Sequence, residues 1–308
     1  MSTENKHNQE QNPEYWRKQV EELKMDSVHG SGFLANQALD IIEEFINRRI
    51  YRNRTELLQS LSKLTNALVR GKPLMALIYT RAHYLLDYIQ EIPKEERDID
   101  KIRQSVLDEI EKLREEDKKN QERISKYGAR LLMDQHVVLV HSASSIVEAI
   151  LLQARRMKKR FRLICTESRP IMEGSELAAR MARAGIKTKL IPDADVSRAL
   201  QEAHFVLTGA DRITESSFVN KTGTAAIATI SHQLSKPFYV AAQTNKILLK
   251  RIYPTRFQSV NENEIFADPP ENLTVENFYF EETPLYFVHK MICESGIYER
   301  EEFVERYL

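Results

Sequence analysis

Apolar residues change their spacing once along this chain, near Gln135, and the change separates two kinds of structure. Ahead of that point they recur every three or four positions: Leu34, Ala38, Ile41, Ile42, Phe45 and Ile46, then Leu57, Leu61, Leu64 and Leu68. That is the stripe of amphipathic helices packed into a bundle. A helical pattern opens at PEYWRKQVEELKMDS, and another helix is expected from Pro73 to Ile89, with proline at the first position, where its missing N–H is no loss. The charge-dense segment after Glu91 keeps Ile102, Val106, Ile110 and Leu113 on one side, so it reads as one long helix with a solvated face.

Past Gln135 the apolar residues come in short unbroken runs: HVVLVH (136–141), FRLICTE (161–167), KTKLIP (187–192), HFVLTGAD (204–211) and PFYVAA (237–242). Helical stretches alternate with them, and such runs are the mark of strands buried on both faces of a parallel sheet. The expected fold is therefore α/β, an N-terminal helical domain followed by a doubly wound parallel-sheet, Rossmann-like domain. The boundaries are a disordered tail over 1–12, helices over 13–133 and the sheet domain over 134–308. A ligand crevice is expected at the carboxyl ends of the strands. No GxGxxG follows the first strand, which disfavours an ordinary dinucleotide site.

Composition narrows the chemistry. With 308 residues, about two domains are expected. The 45 Lys and Arg balance the 45 Asp and Glu, so the chain offers no single-sign field for nucleic acid or an anionic membrane. No apolar run reaches the roughly 18 residues of a spanning helix. The first twelve residues, MSTENKHNQEQN, are polar where a signal peptide needs an apolar core, so the cytosol is the expected compartment. Cys165 and Cys293 stand in apolar contexts without partner spacing and read as buried thiols rather than a disulfide or zinc site. Neither a cofactor nor a metal is called for.

Polar residues collect where the crevice should lie. The first strand ends in HSASS, which brings His141, Ser142 and Ser144 to a helix start, where hydroxyls can cap the helix or face an anion. TESRP places Arg169 after the second strand, and TGADRI places Asp211 after the fourth, where a carboxylate could act as general acid or base. VNKTGT sets Asn220 and Lys221 just ahead of a helix N-terminus, suited to phosphate, and QTNK brings Lys246 to the same edge. Cations and one carboxylate at strand ends of a neutral protein point to a small phosphorylated ligand, with Lys221 and Lys246 on its phosphate.

GADRI, the following NKTGT, ESRPIMEG with SELAARMARAGI, and TPLYFVHKMICESGI together resemble the superfamily of translation initiation factor 2B regulatory subunits (alpha, beta, delta). Methylthioribose-1-phosphate isomerase and ribose-1,5-bisphosphate isomerase belong to the same superfamily. The resemblance runs over roughly residues 20–306 and implies a pocket between the two domains that accepts phosphosugars or nucleotides. It also implies that Asp211 stands at the isomerases' catalytic Asp, whereas Ser142 occupies the place of their Cys. A hydroxyl ionises far less readily than a thiol, so Ser142 cannot simply replace it. The family's Arg-Gly-Ala turn corresponds to His29, Gly30 and Ser31, its Arg-Pro to Lys72 and Pro73, and a Gln to Glu173. Asn220, Lys221 and Lys246 match phosphate-side positions.

Three readings follow. In the preferred one the protein is like the factor 2B regulatory subunits: a homo-oligomer, at least a dimer, that binds a phosphorylated sugar or nucleotide without Cys-dependent isomerase chemistry and reports it to a protein partner. In the second it is an aldose-ketose isomerase of a phosphorylated pentose, working through Asp211 with His141 or Glu173 as a further base. The third is a structural oligomer with a vestigial crevice. Self-association is expected through FYVAAQ near a sheet edge and the apolar LYFVHKMI.

Overall fold

The computed structural model describes residues 15–308, and contacts divide the chain into two units at Lys118 and Lys119. The tail expected at 1–12 lies outside the described residues.

The first unit holds helices α1 (Trp16–Met25), α2 (Ser31–Arg48), α3 (Arg54–Gly71), α4 (Ala76–Glu91) and the first part of the long α5 (Ile99–Leu131). The apolar stripes of α2 and α3, Leu34 to Ile46 and Leu57 to Leu68, are at most 3% exposed, so the periodicity named the buried face. Asn53 starts α3 by accepting the N–H of Glu56 at 3.0 Å, while the Glu56 carboxylate takes the N–H of Arg52 at 2.9 Å. Two donors that the helix leaves unpaired are thereby satisfied. Pro73 does not begin α4. The N–H of Met75 donates to the carbonyl of Lys72 at 3.0 Å, so Pro73 takes the second position of a tight turn, which its fixed φ suits equally well. In α5, Ile102, Val106, Ile110 and Leu113 are buried as expected. The far end of the helix contributes Ile124 and Ala129 to a core with the first strands, which is why the second unit begins ahead of the change in apolar period.

The second unit is a seven-stranded sheet built from β1 (Val137–Val140), β2 (Arg162–Thr166), β3 (Lys187–Ile191), β4 (Phe205–Gly209), β7 (Phe238–Ala241), β9 (Lys290–Cys293) and β10 (Gly296–Glu299). Its order is β10-β9-β7-β4-β1-β2-β3, with only β10 antiparallel to its neighbour. Helices α6 (Ser145–Arg156) and α7 (Glu173–Arg183) share one core with the end of α5, and α8 (Val196–Glu202), α9 (Thr224–Gln233) and α10 (Arg300–Tyr307) share another. Two such cores, one on each face, make the sheet doubly wound. A small antiparallel sheet of β5 (Arg212–Ile213), β6 (Ser217–Lys221) and β8 (Phe280–Pro284) was not foreseen. It puts Asn220 and Lys221 on a strand rather than in a loop.

Most of the two segments expected to mediate self-association is internal, although Tyr286 is 60% exposed. β7 lies between β4 and β9, away from either edge, and Phe238, Val240 and Ala241 are buried. Leu285, Val288, Met291 and Ile292 are buried too. The hydrophobicity of these buried residues serves the sheet core. Among the described residues no helix is long and apolar enough to cross a membrane.

Candidate functional site

The strand order reverses between β1 and β4, and the crevice of an open parallel sheet forms at the carboxyl ends of such a pair. The two ends approach closely here. A Cβ at Gly209 would stand 2.5 Å from Oγ of Ser144, so only glycine fits, and Ser144 in turn caps α6 by accepting the N–H of Val147 at 3.4 Å.

His141 follows β1 and is buried. Its Nδ1 lies 2.7 Å from Oγ1 of Thr166 and its Nε2 lies 2.9 Å from the carbonyl of Thr222. A carbonyl can only accept, so Nε2 carries the proton and Nδ1 accepts from the threonine hydroxyl. Burial holds the His141 pKa below its ordinary value, against the Thr222 carbonyl and the charges of Asp193 and Glu173. The ring is neutral with both nitrogens engaged, which pins β1 to β2 and to the turn after β6. It leaves no lone pair free for a ligand's proton.

Ser142 has φ 66°, a left-handed conformation that costs a non-glycine residue on the order of 1–2 kcal/mol. That backbone directs its N–H to Oγ of Ser168 at 2.8 Å and its hydroxyl to Oε1 of Glu173, also at 2.8 Å. The same Oε1 pairs with Nζ of Lys221 at 3.1 Å, with side-chain exposures of 12% and 3% for the two ionised groups. Nζ of Lys221 also stands 5.1 Å from the Tyr279 ring centroid. Oε2 of Glu173 is buried without a partner among the described residues. Ser142, Glu173 and Lys221 thus form one buried chain.

The other expected residues divide between this crevice and elsewhere. Asn220 donates through Nδ2 to Thr208 at 2.8 Å and Thr224 at 3.0 Å. Lys246 is buried, with Nζ 2.7 Å from the carbonyl of Ala210, the residue before Asp211. The half-buried Asp211 carboxylate has no partner among the described residues. The Arg169 guanidinium is exposed and reaches the carbonyl of Glu264 at 3.4 Å, although its backbone N–H is held by Asp193 at 2.7 Å. The N-terminus of α9 is already occupied: Oε1 of Glu281 accepts the N–H groups of Gly223 and Ala225, each at 2.8 Å. The helix start expected to face phosphate therefore already holds a carboxylate of the same chain.

In the first unit, His29 and Lys72 meet at Asp26, just ahead of Gly30 and Ser31. Nδ1 of His29 lies 2.7 Å from Oδ2 of Asp26, whose other oxygen accepts the N–H groups of Val28 and His29 at 3.0 Å each. Burial works against the Asp26 carboxylate, but these hydrogen bonds outweigh it and hold its pKa below the usual range. Nζ of Lys72 donates to the carbonyl of Asp26, and burial lowers the lysine's pKa. Gly30 caps α2, and Ser31 is its buried first residue.

Residues 27–300 match the initiation factor 2 subunit family. The chain belongs to that family. It is 32% identical over 283 residues to a putative translation initiation factor eIF-2B subunit 2-like protein of Pyrococcus horikoshii, covering 90% of this chain and 94% of that one. It is 27% identical over 282 residues to a ribose 1,5-bisphosphate isomerase of Methanocaldococcus jannaschii, covering 90% and 89%. The crystal structure of the Pyrococcus horikoshii OT3 translation initiation factor eIF-2B superposes with a TM-score of 0.76 at 28% identity, over 94% of this chain and all of that one. This initiation factor 2 subunit family member is thus similar both to factor subunits and to an isomerase.

Sequence reasoning missed Thr166, Ser168, Asp193, Tyr279 and Glu281. Thr166 and Ser168 belong to the TESRP segment already singled out for Arg169. Glu281 meets α9 only through the pairing of β6 with β8, a register that no local motif encodes.

Proposed function

We propose that this initiation factor 2B-like protein binds a small phosphorylated sugar or nucleotide in the crevice at the switch point of its second unit, and that it does not isomerise it. The buried Ser142–Glu173–Lys221 chain carries this reading. Aldose-ketose isomerisation moves a hydrogen between neighbouring carbons and a proton between their oxygens, which calls for positioned groups free to exchange protons. The hydroxyl at the family's Cys position is spent on Glu173, and both His141 nitrogens are engaged. Asn220, Lys221 and Lys246 remain as the phosphate side. The isomerase alternative rests on the unpartnered carboxylate of Asp211 at the end of β4.

The purified protein, titrated with pentose phosphates and nucleoside monophosphates, should melt at a higher temperature with at least one of them. NMR of the same mixtures should contain no ketose product. Ketose formation by wild type that disappears in Asp211→Asn would replace this reading with the isomerase. Self-association, a cytosolic location and a protein partner complete the proposal. Exposed Ile252, Phe257, Ile265, Phe266 and Leu273 between β7 and β8 support a subunit contact, and the two free, buried cysteines fit a reducing compartment. A monomer mass by light scattering at micromolar concentration would exclude the dimer.

A further inference from the structure

The sheet has a second concave site at its opposite end. A cleft of about 750 Å³ opens where β1, β2 and β3 begin, walled by the C-terminal end of α6 and by the turn at Gly185. Six of its ten lining residues are cationic (Arg155, Lys158, Lys159, Arg160, Arg162 and Lys187) and none is acidic. In a protein whose charges balance, that is a strong local excess.

Three of the six cations have structural explanations. Nζ of Lys159 donates to the carbonyls of Ala129 at 2.8 Å and Arg130 at 3.3 Å and to that of Leu132, closing the end of α5. Arg162 pairs with Glu202 at 2.7 Å. Arg155 sits in the last turn of α6, where the helix dipole favours a cation. The other three do not have such an account. Lys158, Arg160 and Lys187 are exposed, and their side chains pair with no acid among the described residues. The Asp134 carboxylate is used on the backbone N–H of Arg160 at 2.8 Å, not on its guanidinium. Parallel pairing places Lys187 beside Arg162, and like charges side by side on neighbouring strands repel. An anion between them would relieve that repulsion.

We propose that this cleft binds a compact polyphosphate, a ligand carrying several phosphate groups within a few ångströms of one another. Its volume lies in the range of small-molecule sites, about 300–1,000 Å³. Its cations come from three separate segments, the end of α6 and the starts of β2 and β3, and converge on one depression instead of running along a groove. The aromatic lining residue, Phe161, is buried in the core, so no ring is offered for stacking a nucleobase. Phosphate, not base, is what the cleft can recognise. The site is separate from the crevice at the carboxyl ends of the strands and does not depend on what that crevice binds.

The test uses the whole protein and inorganic tripolyphosphate, titrated by calorimetry at low ionic strength, with inorganic phosphate and a single-stranded RNA oligonucleotide in parallel. Tripolyphosphate should bind at least tenfold more tightly than phosphate and weaken steeply as salt is raised. The exposed double variant Lys158→Ala/Lys187→Ala should lose roughly tenfold per cation, and Lys158→Arg/Lys187→Arg should retain binding. Binding that is absent, or unchanged in the alanine variant, would overturn the proposal. So would RNA affinity that exceeds that of tripolyphosphate and grows with oligonucleotide length, which would make the cleft part of a nucleic-acid surface.

Discussion

Replacing Glu173 with glutamine tests the centre of the proposed site, because it removes one charge while keeping the side chain's volume and an oxygen to accept from Ser142. At 3.1 Å, with an effective dielectric constant near 20, the attraction between Glu173 and Lys221 is about 5 kcal/mol. Most of that is offset by the desolvation of two buried charges, so the net worth of the pair is much smaller. Breaking it is another matter, since Lys221 stays charged and 2% exposed without its counter-ion. Removing one partner of such a pair costs about 3–5 kcal/mol, and the retained amide oxygen places Glu173→Gln at the lower end. Urea denaturation should therefore lose about 3 kcal/mol. A phosphate dianion can replace the missing charge, so the variant should bind inorganic phosphate at least tenfold more tightly than wild type does, and ligand at 100 times its Kd should return about 2.7 kcal/mol. A variant as stable as wild type, with no gain in phosphate affinity, would show that Glu173 does not hold Lys221 and would remove the basis of the binding site.

Arg212 is fully buried and donates to the carbonyls of Leu248, at 2.8 Å, and Tyr253, so Arg212→Met should strand both and cost about 3 kcal/mol in chemical denaturation, with the fold retained. The depressed pKa of His141 means that the unfolded chain binds a proton at pH values where the folded chain does not. Its stabilising contribution is therefore full above about pH 6.5 and is lost as pH falls from there toward the folded pKa, so a stability difference between pH 7 and pH 5 should be smaller in His141→Gln than in wild type. Asp211→Asn should leave melting temperature within about 1 °C, because no described partner loses a hydrogen bond, but should weaken pentose-phosphate binding by several-fold in calorimetry.

Legibility followed the range of the interactions. β1, β2 and β4 are continuous apolar runs because both their faces are covered, and such runs announce themselves. β9 and β10 are four residues each, joined through Glu294 and Ser295, and their hairpin lacks the Asn-Gly or Asp-Gly pair that would have marked it. β5 is two residues long, too short for any period. At the site, the sequence could place residues at strand ends, since parallel topology brings those ends together whatever the side chains are. It could not say how they pair. Glu281 caps α9 from 58 residues beyond Gly223, and Glu173 reaches Lys221 from another strand's helix. At Arg169 too, the position follows from topology, whereas the turn's backbone is gripped by Asp193, a contact that no local motif encodes.

Those two glutamates share a consequence. Of the anion-attracting features that the sequence offers for phosphate, the N-terminus of α9 and the ammonium of Lys221 each already hold a carboxylate from their own chain. At those two points a bare anion gains little that Glu173 and Glu281 do not already supply. What the crevice lacks is a donor. Oε2 of Glu173 is buried without a partner, and the Asp211 carboxylate has none among the described residues. A ligand with hydroxyl groups beside its phosphate supplies hydrogen bonds to both, at about 1.5–3 kcal/mol for each bond to a charged acceptor. Ribose 5-phosphate should therefore bind the wild-type protein at least tenfold more tightly than inorganic phosphate, and in Glu173→Gln the gap should narrow, since the variant welcomes the anion and loses one charged acceptor. Equal wild-type affinities for the two would mean that the unpartnered oxygens face no ligand.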